Sequence, residues 1–353
     1  MLGMRFLVWI ALPCVGLLGC SSALPQGDVW RPRQESLVWP KPPDLPRLEY
    51  LRTLTGPQDF LKAGQSKTIL DWLVGDRELS VPLLTPVAVT ADGGGRVWVA
   101  DSSARMVFRF DLAREKVDYF SQVGEVALQA PSGLAFSPRL EWLFVADAVL
   151  GKVFVLGKEG ELLGERTPPG GWRRPGGLAL DSSGRLFVAD ALRGDISVFD
   201  AEGRYLRSIG SRFTLDGRFQ RPIQVALGPR DELLVVDALL FHVEIQDASG
   251  RLIGTIGQVG DAPGTFARPR GIAVDAEGHV YVADAAFDNI QIFDLTGQLL
   301  MHWGGAGTMS GQFNLPAGLF IDSSNRLYVA DSYNHRVEIY AYIDQRTASG
   351  KSR

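Results

Sequence analysis

Cysteine is nearly absent from this chain, because its 353 residues include two, Cys14 and Cys20. Beyond residue 20 no cysteine pair remains for a disulfide or a cysteine-rich zinc site, and there is no CxxC redox pair. An excess of basic charge is also missing, since 36 Lys and Arg stand against 40 Asp and Glu, a net charge of −4. Nucleic-acid-binding proteins are usually strongly basic, so we expect no nucleic-acid partner.

Long apolar runs are also scarce, and the one at the N-terminus spans thirteen apolar or small residues, Phe6 to Leu18, after a single cation. It falls short of the roughly 20 residues that a transmembrane helix needs. The pattern is typical of a secretory signal peptide. The sequence Leu17-Leu18-Gly19-Cys20 resembles a bacterial lipobox, and the resemblance implies cleavage before Cys20 and acylation of its thiol. An ordinary signal peptide with a chance cysteine is the alternative.

This resemblance divides the start of the chain into a signal peptide, 1–19, and an acylated Cys20 followed by a proline-rich tether to residue 46. Six prolines lie between residues 21 and 46, and such segments favour an extended, semi-rigid conformation. We therefore expect a lipoprotein anchored to a bilayer of the cell envelope rather than spanning it. Ser21 after the cysteine resembles the outer-membrane sorting class, which implies the periplasmic face of an outer membrane where the host has one.

A tripeptide recurs six times through the rest of the chain. Its aspartates are 43 to 47 residues apart. The copies are Val99-Ala100-Asp101, Val145-Ala146-Asp147, Val188-Ala189-Asp190, Val235-Val236-Asp237, Val282-Ala283-Asp284 and Val329-Ala330-Asp331. Each copy lies in a unit of four short runs rich in Val, Ile, Leu, Phe and Tyr, separated by Gly, Asp and Ser turns. Four strands in about 45 residues is the period of a β-propeller blade.

The sixth unit ends before its fourth strand, and a matching strand stands at the other end of the domain. Glu49 to Gly56 resembles the fourth strand of the third unit, Tyr205 to Gly210. We predict an all-β, six-bladed propeller over residues 47–343, with four-stranded antiparallel blades and the last blade closed by the N-terminal strand. An insert, 57–85, contains a predicted short helix that either caps the propeller or docks a partner, and 344–353 is a polar tail.

The units resemble NHL repeats, most clearly at Gly311 to Gly318 and at Asp331 to Val337. The resemblance implies a six-bladed propeller and little about activity, since function depends on the site carried by a fold. Peptide-amidating lyases share this repeat, and their fold implies a zinc ion held by histidines at the channel. The corresponding positions carry no histidine here: Val87, Ser132, Gly176, Ile223, Arg270 and Ala317.

The repeated aspartates and the four histidines are the possible metal ligands. A ring of six carboxylates near one channel mouth would suit calcium, but each aspartate can instead accept hydrogen bonds from its own following turn, which we favour. His242 and His335 follow second strands, His279 lies at the opposite face and His302 in an outer strand, so a three-histidine zinc site is not expected. We predict no metal and no cofactor.

Two features break the six-fold symmetry and mark a candidate binding rim. Arginine precedes the blade-opening proline in blades three to five, as Arg174, Arg221 and Arg268, and Arg270 extends the arc. The loops after the tripeptide are apolar, with Leu240, Phe241 and Phe287 among them. The arginines either bind an anion or acidic partner or pair within the protein. The apolar loops either meet a protein partner or are covered by neighbouring loops.

These features predict a non-catalytic, lipid-anchored envelope protein that binds a protein or ligand on this rim. The alternative is a metal-dependent envelope lyase or lactonase-like hydrolase that uses the channel, with Asp147 or Asp237 holding the metal. No catalytic residue set is evident, because no GxSxG leads from a strand into a helix and Gly93-Gly94-Gly95 has no following helix.

Overall fold

The computed structural model of this protein describes residues 37–60, 81–210 and 219–343. These residues form six antiparallel sheets of four or more strands and one two-stranded hairpin. The prediction of an all-β, six-bladed propeller is confirmed. The signal peptide, Cys20, the first part of the tether, the middle of the insert and the tail beyond residue 343 lie outside the described residues. Within the described part of the chain, no helix has the length and apolar character needed to cross a bilayer.

The strands follow the chain in blade order, each blade running from the channel outward. The N-terminal strands are β1 (Val38–Trp39) and β2 (Leu48–Leu54). Blade one contains β3 (Pro86–Ala91), β4 (Arg96–Asp101), β5 (Met106–Asp111) and β6 (Lys116–Phe120), and is followed by the hairpin β7 (Gln122–Val123) and β8 (Val126–Ala127). Blade two contains β9 (Pro131–Ser137), β10 (Trp142–Asp147), β11 (Lys152–Leu156) and β12 (Leu162–Arg166). Blade three contains β13 (Pro175–Leu180), β14 (Leu186–Asp190), β15 (Asp195–Phe199) and β16 (Tyr205–Ile209).

The remaining blades repeat the pattern. Blade four contains β17 (Pro222–Leu227), β18 (Leu233–Asp237), β19 (His242–Gln246) and β20 (Leu252–Ile256). Blade five contains β21 (Pro269–Val274), β22 (Val280–Asp284), β23 (Asn289–Phe293) and β24 (Leu299–Gly304). Blade six contains β25 (Pro316–Ile321), β26 (Arg326–Asp331) and β27 (Arg336–Tyr342). Short 3₁₀ turns at Pro57–Phe60 and Ser332–Asn334 are the helical elements of the described residues.

Blade six is completed by the N-terminal strand, as predicted. Strand β2 pairs antiparallel with β27, with Leu54 opposite Val337 and Leu48 opposite Tyr342. Strand β1 then adds a fifth strand at the outer edge. Residues 37–46, expected in the tether, therefore lie against the propeller. The reason is Trp39, whose ring packs edge-on against Tyr340 with centroids 5.7 Å apart.

The innermost strands crowd together around the channel. A Cβ on Gly133 would lie 1.9 Å from the carbonyl oxygen of Gly176 in the next blade, so this position accepts no side chain. The blade-opening glycine is therefore required by the close approach of neighbouring blades. The apolar wall of the channel, formed by these strands, encloses about 220 Å³.

One hydrophobic cluster fills each of the six spaces between neighbouring blades. Both faces of a blade are thus covered, and the third strands are buried on both sides, as β15 shows along its whole length. Burial of this kind is the main stabilising contribution to the ring.

The loops that lead from the outermost strand of one blade to the innermost strand of the next, here called leading loops, are held by phenylalanine anchors. Phe219, Phe266 and Phe313 are each 0% exposed. Phe266 packs beneath Gly257, where an added Cβ would meet its ring at 2.2 Å and where φ is +77°. These anchors draw the leading loops of blades four to six down between the blades.

Candidate binding face and channel mouth

Strand direction gives the propeller two different faces. Leading loops and the loops after second strands lie on one face, here called the upper face. Turns between first and second strands, and between third and fourth strands, lie on the lower face. The predicted rim residues all fall on the upper face, because each belongs to a leading loop, to the start of an innermost strand or to a loop after a second strand.

The six repeated aspartates hold the upper loops together. Each is fully buried, and Asp237 is representative. Its Oδ1 accepts hydrogen bonds from the backbone N–H of Leu239 and of Arg221, both at 3.0 Å. The predicted structural role in the following turn is therefore present, and each carboxylate also binds the adjacent leading loop. The equivalent bonds to the leading loop are made by Asp101, Asp147, Asp190, Asp284 and Asp331.

These aspartates fix the backbone of three rim arginines at equivalent positions. The N–H of Arg174 donates to Asp190 at 3.0 Å, and the N–H of Arg268 donates to Asp284 at 3.0 Å. Asp237 holds Arg221 in the same way. Blades three, four and five therefore each place one arginine at an equivalent position on the upper face. The carboxylate oxygens that a calcium ring would need are occupied by these backbone bonds.

The four arginines of the predicted rim meet at one cavity. A space of about 500 Å³ opens at the upper end of the channel. Arg174, Arg221, Arg268 and Arg270 all line it, together with Phe241. Leu240 and Phe287, the other two predicted rim residues, lie on the surrounding loops outside the cavity lining. This cavity, with its four arginines, is called the channel mouth below.

The side chains of the channel-mouth arginines have no charged partner in the part of the chain that the structure describes. Among the described residues, none of their guanidinium groups forms an ion pair, a hydrogen bond or a stacking contact with an aromatic ring. Burial lowers the pKa of the Arg270 guanidinium, and the positive charges of the other three arginines lower it further. Internal pairing, the alternative reading of these arginines, is therefore absent from the described part of the structure.

Large apolar side chains are exposed around the channel mouth. They lie in the leading loops and the loops after second strands, and they include Val149 at 71%, Leu192 at 49%, Leu239 at 53%, Leu240 at 36%, Val259 at 67%, Met309 at 68% and Tyr333 at 59% exposure. The leading loop of blade five does not cover the loops beside it, because Phe266 anchors it between blades. The leading loop of blade four, 211–218, lies outside the described residues.

The lower face has a different chemistry. Its turns contain ion pairs, such as Arg326 with Asp322 at 2.7 Å and Arg204 with Asp200 at 2.7 Å. The described turns between first and second strands and between third and fourth strands contain no exposed large apolar side chain, whereas Leu45, in the turn between β1 and β2 on the same face, is 65% exposed. The fold repeats each loop type six times, so this difference between the faces does not come from the architecture.

The histidines are distributed as the sequence suggested. His279 lies in a lower turn, where its Nδ1 is 2.8 Å from Asp275 and this contact raises its pKa. His335 contacts the Leu84 carbonyl on the upper face. No group of three His, Cys, Asp or Glu side chains suited to a metal occurs among residues 37–60, 81–210 and 219–343.

Three contributors to this face were not identified from the sequence. Gln224 lines the channel mouth, and the exposed side chains of Val259 and Met309 extend the apolar surface. Gln224 stands where four other blades have glycine, so its departure from the repeat was the available signal. Val259 and Met309 lie in leading loops whose anchoring depends on contacts distant in sequence, and no local pattern predicts their exposure.

Comparison with known proteins agrees with this fold. The sequence model of the NHL repeat matches residues 266–293 and 313–340, in blades five and six. No curated protein matches the chain in sequence.

Among solved structures, an auxiliary nutrient binding protein from Bacteroides thetaiotaomicron is 13% identical, with a TM-score of 0.58 over 74% of this chain and 70% of that one. A protein of unknown function from the same species is 16% identical, with a TM-score of 0.59 over 76% and 72%. Virginiamycin B lyase from Staphylococcus aureus is 15% identical, with a TM-score of 0.53 over 73% and 95%. Identities this low show the fold alone. The chain therefore has the six-bladed β-propeller fold, and its fifth and sixth blades match the NHL repeat.

Proposed function

We propose that this protein is a non-catalytic binding platform of the cell envelope that holds a protein partner on its upper face. The concentration of exposed apolar side chains on the upper loops of several blades carries the proposal. The lipid anchor on Cys20 is part of the same proposal and rests on residues 17–22 of the sequence. Mass spectrometry of the mature N-terminus tests it, because an unmodified N-terminus would refute it.

The upper face has the composition of a protein interface. Contiguous apolar surface on a soluble domain is characteristic of interaction sites, and interface cores are rich in aromatic residues, methionine and arginine. Tyr333, Met309 and the channel-mouth arginines belong to these classes. The polar, ion-paired turns of the lower face lack this composition, and so the upper face is the favoured docking surface.

The structural neighbours support a binding role without defining its ligand. Proteins named as auxiliary nutrient binding proteins, from Bacteroides thetaiotaomicron and Bacteroides ovatus, are among them. For this chain the partner is proposed from its own upper face.

A metal-dependent envelope lyase or lactonase-like hydrolase is less well supported. That alternative would use Asp147 or Asp237 as ligands in the channel. Both carboxylates instead accept backbone hydrogen bonds on the two sides of the upper loops, as at Asp147 with Ala130 at 3.0 Å and Leu150 at 3.0 Å. No other observation favours catalysis over binding.

A pair of double variants tests the docking face. Leu192→Asp with Leu239→Asp places charge on the upper loops of blades three and four. Leu206→Asp with Leu252→Asp places the same charge on the outermost strands of the same two blades, where these leucines are 48% and 43% exposed. Immobilised full-length protein is incubated with detergent-solubilised envelope extract, and the retained proteins are compared.

We expect a protein retained by the wild type and the outer-strand variant to be lost from the upper-loop variant, with equal melting temperatures. An inserted carboxylate disrupts an apolar contact but costs little at an exposed site. Retention of the same proteins by all three forms would refute docking on the upper face, as would retention of none.

A further inference from the structure

We infer that the channel mouth is an anion-binding site for an oxyanion group with at least two negative charges. The inference deepens the proposed function by naming the group that the upper face recognises, and it rests on that function. Its chemical basis is the convergence of four guanidinium groups on one cavity without a carboxylate partner among the described residues.

The geometry of the arginines suits a single ligand. Arg174, Arg221 and Arg268 leave consecutive blades at equivalent positions, with their backbones clamped by buried aspartates. Arg270 starts two residues further, at the beginning of β21, and faces the same cavity. The volume of about 500 Å³ falls within the roughly 300–1,000 Å³ typical of small-molecule sites.

The electrostatics of the free protein are unfavourable at this point. Like charges gathered in a partly buried cavity repel one another, and the reduced exposure of Arg270 weakens the screening by water. The lowered pKa of Arg270 has the same origin. The clustered arginines cost stability and occur in three of the six equivalent blades. A ligand that neutralises their charge explains why they are present.

The donors present favour carboxylate or phosphate groups over a simple halide. A guanidinium offers a planar pair of N–H donors that matches two oxygens of one oxyanion. Gln224 adds a side-chain amide at the inner end of the cavity, since it lines both the channel mouth and the channel below. Phe241 supplies an apolar wall, which can contact the part of the ligand next to the ligand's charged group.

Two sources can supply this group. Clustered Asp or Glu side chains of the protein partner would place several carboxylates in the channel mouth while the apolar loops contact the surrounding surface. A free di- or tricarboxylate or a phosphate compound would fill the same cavity by itself. The two sources share the oxyanion chemistry and differ in whether a peptide competes with a small anion.

The test measures binding of citrate, pyrophosphate and a hexaglutamate peptide to the full-length protein by calorimetry, at constant ionic strength in chloride. We expect saturable binding of at least one of these probes with one site per chain. Arg270→Gln is expected to weaken that binding roughly tenfold or more, as for the loss of one charge-assisted interaction. Arg251→Gln, which removes one positive charge from the lower face, is the control and leaves the affinity unchanged.

The melting temperature of the ligand-free protein gives a second readout. Arg270→Gln is expected to raise it, because the repulsion among the arginines is reduced, whereas a structural arginine would lower it on removal. Binding of the small anions without binding of hexaglutamate would assign the site to a free small anion. Binding of hexaglutamate would assign it to an acidic segment of a partner. Both results support the inference. No probe binding beyond chloride, or equal binding by wild type and Arg270→Gln, would overturn it.

The calorimetry separates this inference from the docking proposal. If partner retention depends on Leu192 and Leu239 while no anion binds, the inference fails and the docking face stands. If an anion binds and no partner is retained, the docking proposal fails and the channel mouth remains a small-anion site.

Discussion

Phe241 has a backbone conformation that phenylalanine rarely adopts. Its φ is +56°, while the equivalent positions of blades two and three carry Gly151 and Gly194 at +61° and +72°. A left-handed conformation costs a bulky residue roughly 1–2 kcal/mol. Arg105, Asp288 and His335 adopt the same conformation at the equivalent positions of blades one, five and six. The conformation therefore belongs to the repeated turn, and in blade four it carries a side chain that lines the channel mouth.

Glu338 is a buried carboxylate whose ionisation should couple stability to pH. It is 0% exposed in β27 and accepts hydrogen bonds from Tyr340 and, at 3.1 Å, from the backbone N–H of Gly311. Burial raises its pKa to about 7 from an ordinary value of 4.5, although Arg336 opposes the shift. The folded state therefore keeps a proton that the unfolded state releases between these two values.

Stability should accordingly fall as pH rises from about 4.5 to about 7. A shift of this size corresponds to roughly 3 kcal/mol across the window. The measurement is urea unfolding of the wild type and of Glu338→Gln between pH 5 and pH 8. Relative to the variant, which cannot titrate at this position, the wild type should lose stability over that range.

Glu202→Gln, at an exposed position in a lower turn of blade three, is the control variant. Its stability should run parallel to that of the wild type at every pH. If the Glu338→Gln curve also runs parallel, then Glu338 is not protonated in the folded protein and the assignment is wrong.

At the scale of elements, the closing strand β2 differs from the other outermost strands. Leu51 is 7% exposed, whereas Leu206 at the equivalent position of blade three is 48% exposed. Leu54 is 0% exposed, as is Ile256 at the matching position of blade four. The extra burial arises because β1 covers one side of β2 and the insert begins beside it at Pro57. Strand β2 thus contributes core residues as well as hydrogen bonds to β27.

Truncating this strand's core residue should destabilise the ring. Leu54→Ala removes a fully buried side chain and is expected to cost roughly 2–5 kcal/mol of unfolding free energy. Leu206→Ala, at the outermost strand of blade three, should cost less than about 0.5 kcal/mol. Chemical denaturation followed by circular dichroism measures both. Equal, small effects would indicate that β2 is attached without stabilising the closure.

Elements that follow the repeat were predictable, and elements that depend on one blade's surroundings were not. The tripeptide and its period gave six blades, and the missing fourth strand gave the closure by Glu49 to Gly56. Strand β1 was missed because Val38-Trp39 is a two-residue strand among prolines, and its pairing with β2 is supported by a contact of Trp39 with Tyr340 that is distant in sequence. The predicted helix at Ile69 to Val74 lies outside the described residues.

At the scale of the whole molecule, departure from the six-fold repeat was the sequence feature that pointed to the channel mouth. Arg174, Arg221 and Arg268 break the repeat on one arc, and the structure brings them to one cavity with Arg270 and Phe241. Their convergence on one cavity depends on loop packing that sequence spacing does not encode. Leu240 and Phe287 were assigned to the same rim by loop position, but the cavity lining from those loops consists of other residues, such as Ala238 and Phe241.

If the blades are equivalent as scaffold, the site of ring closure should be movable. Tyr342 and Leu48 are neighbours in the paired strands, so a short Gly-Ser linker can join residue 343 to residue 47. New termini opened between Ala248 and Ser249 fall in an exposed lower turn between the third and fourth strands of blade four. Blade four would then be closed by β20 from the N-terminus, as β2 now closes blade six.

We expect this permuted chain to unfold in one cooperative transition, with a melting temperature within a few degrees of the linear chain 47–343, since a lower-turn cut disturbs little buried surface. Affinity for the anion probe should be unchanged, because the cut lies on the face opposite the channel mouth. A chain opened between Val235 and Val236, within the buried strand β18, should fail to fold. If the linear chain folds and the lower-turn permutant does not, blade six has a role in closure that the other blades cannot replace, and the repeats are not interchangeable as scaffold.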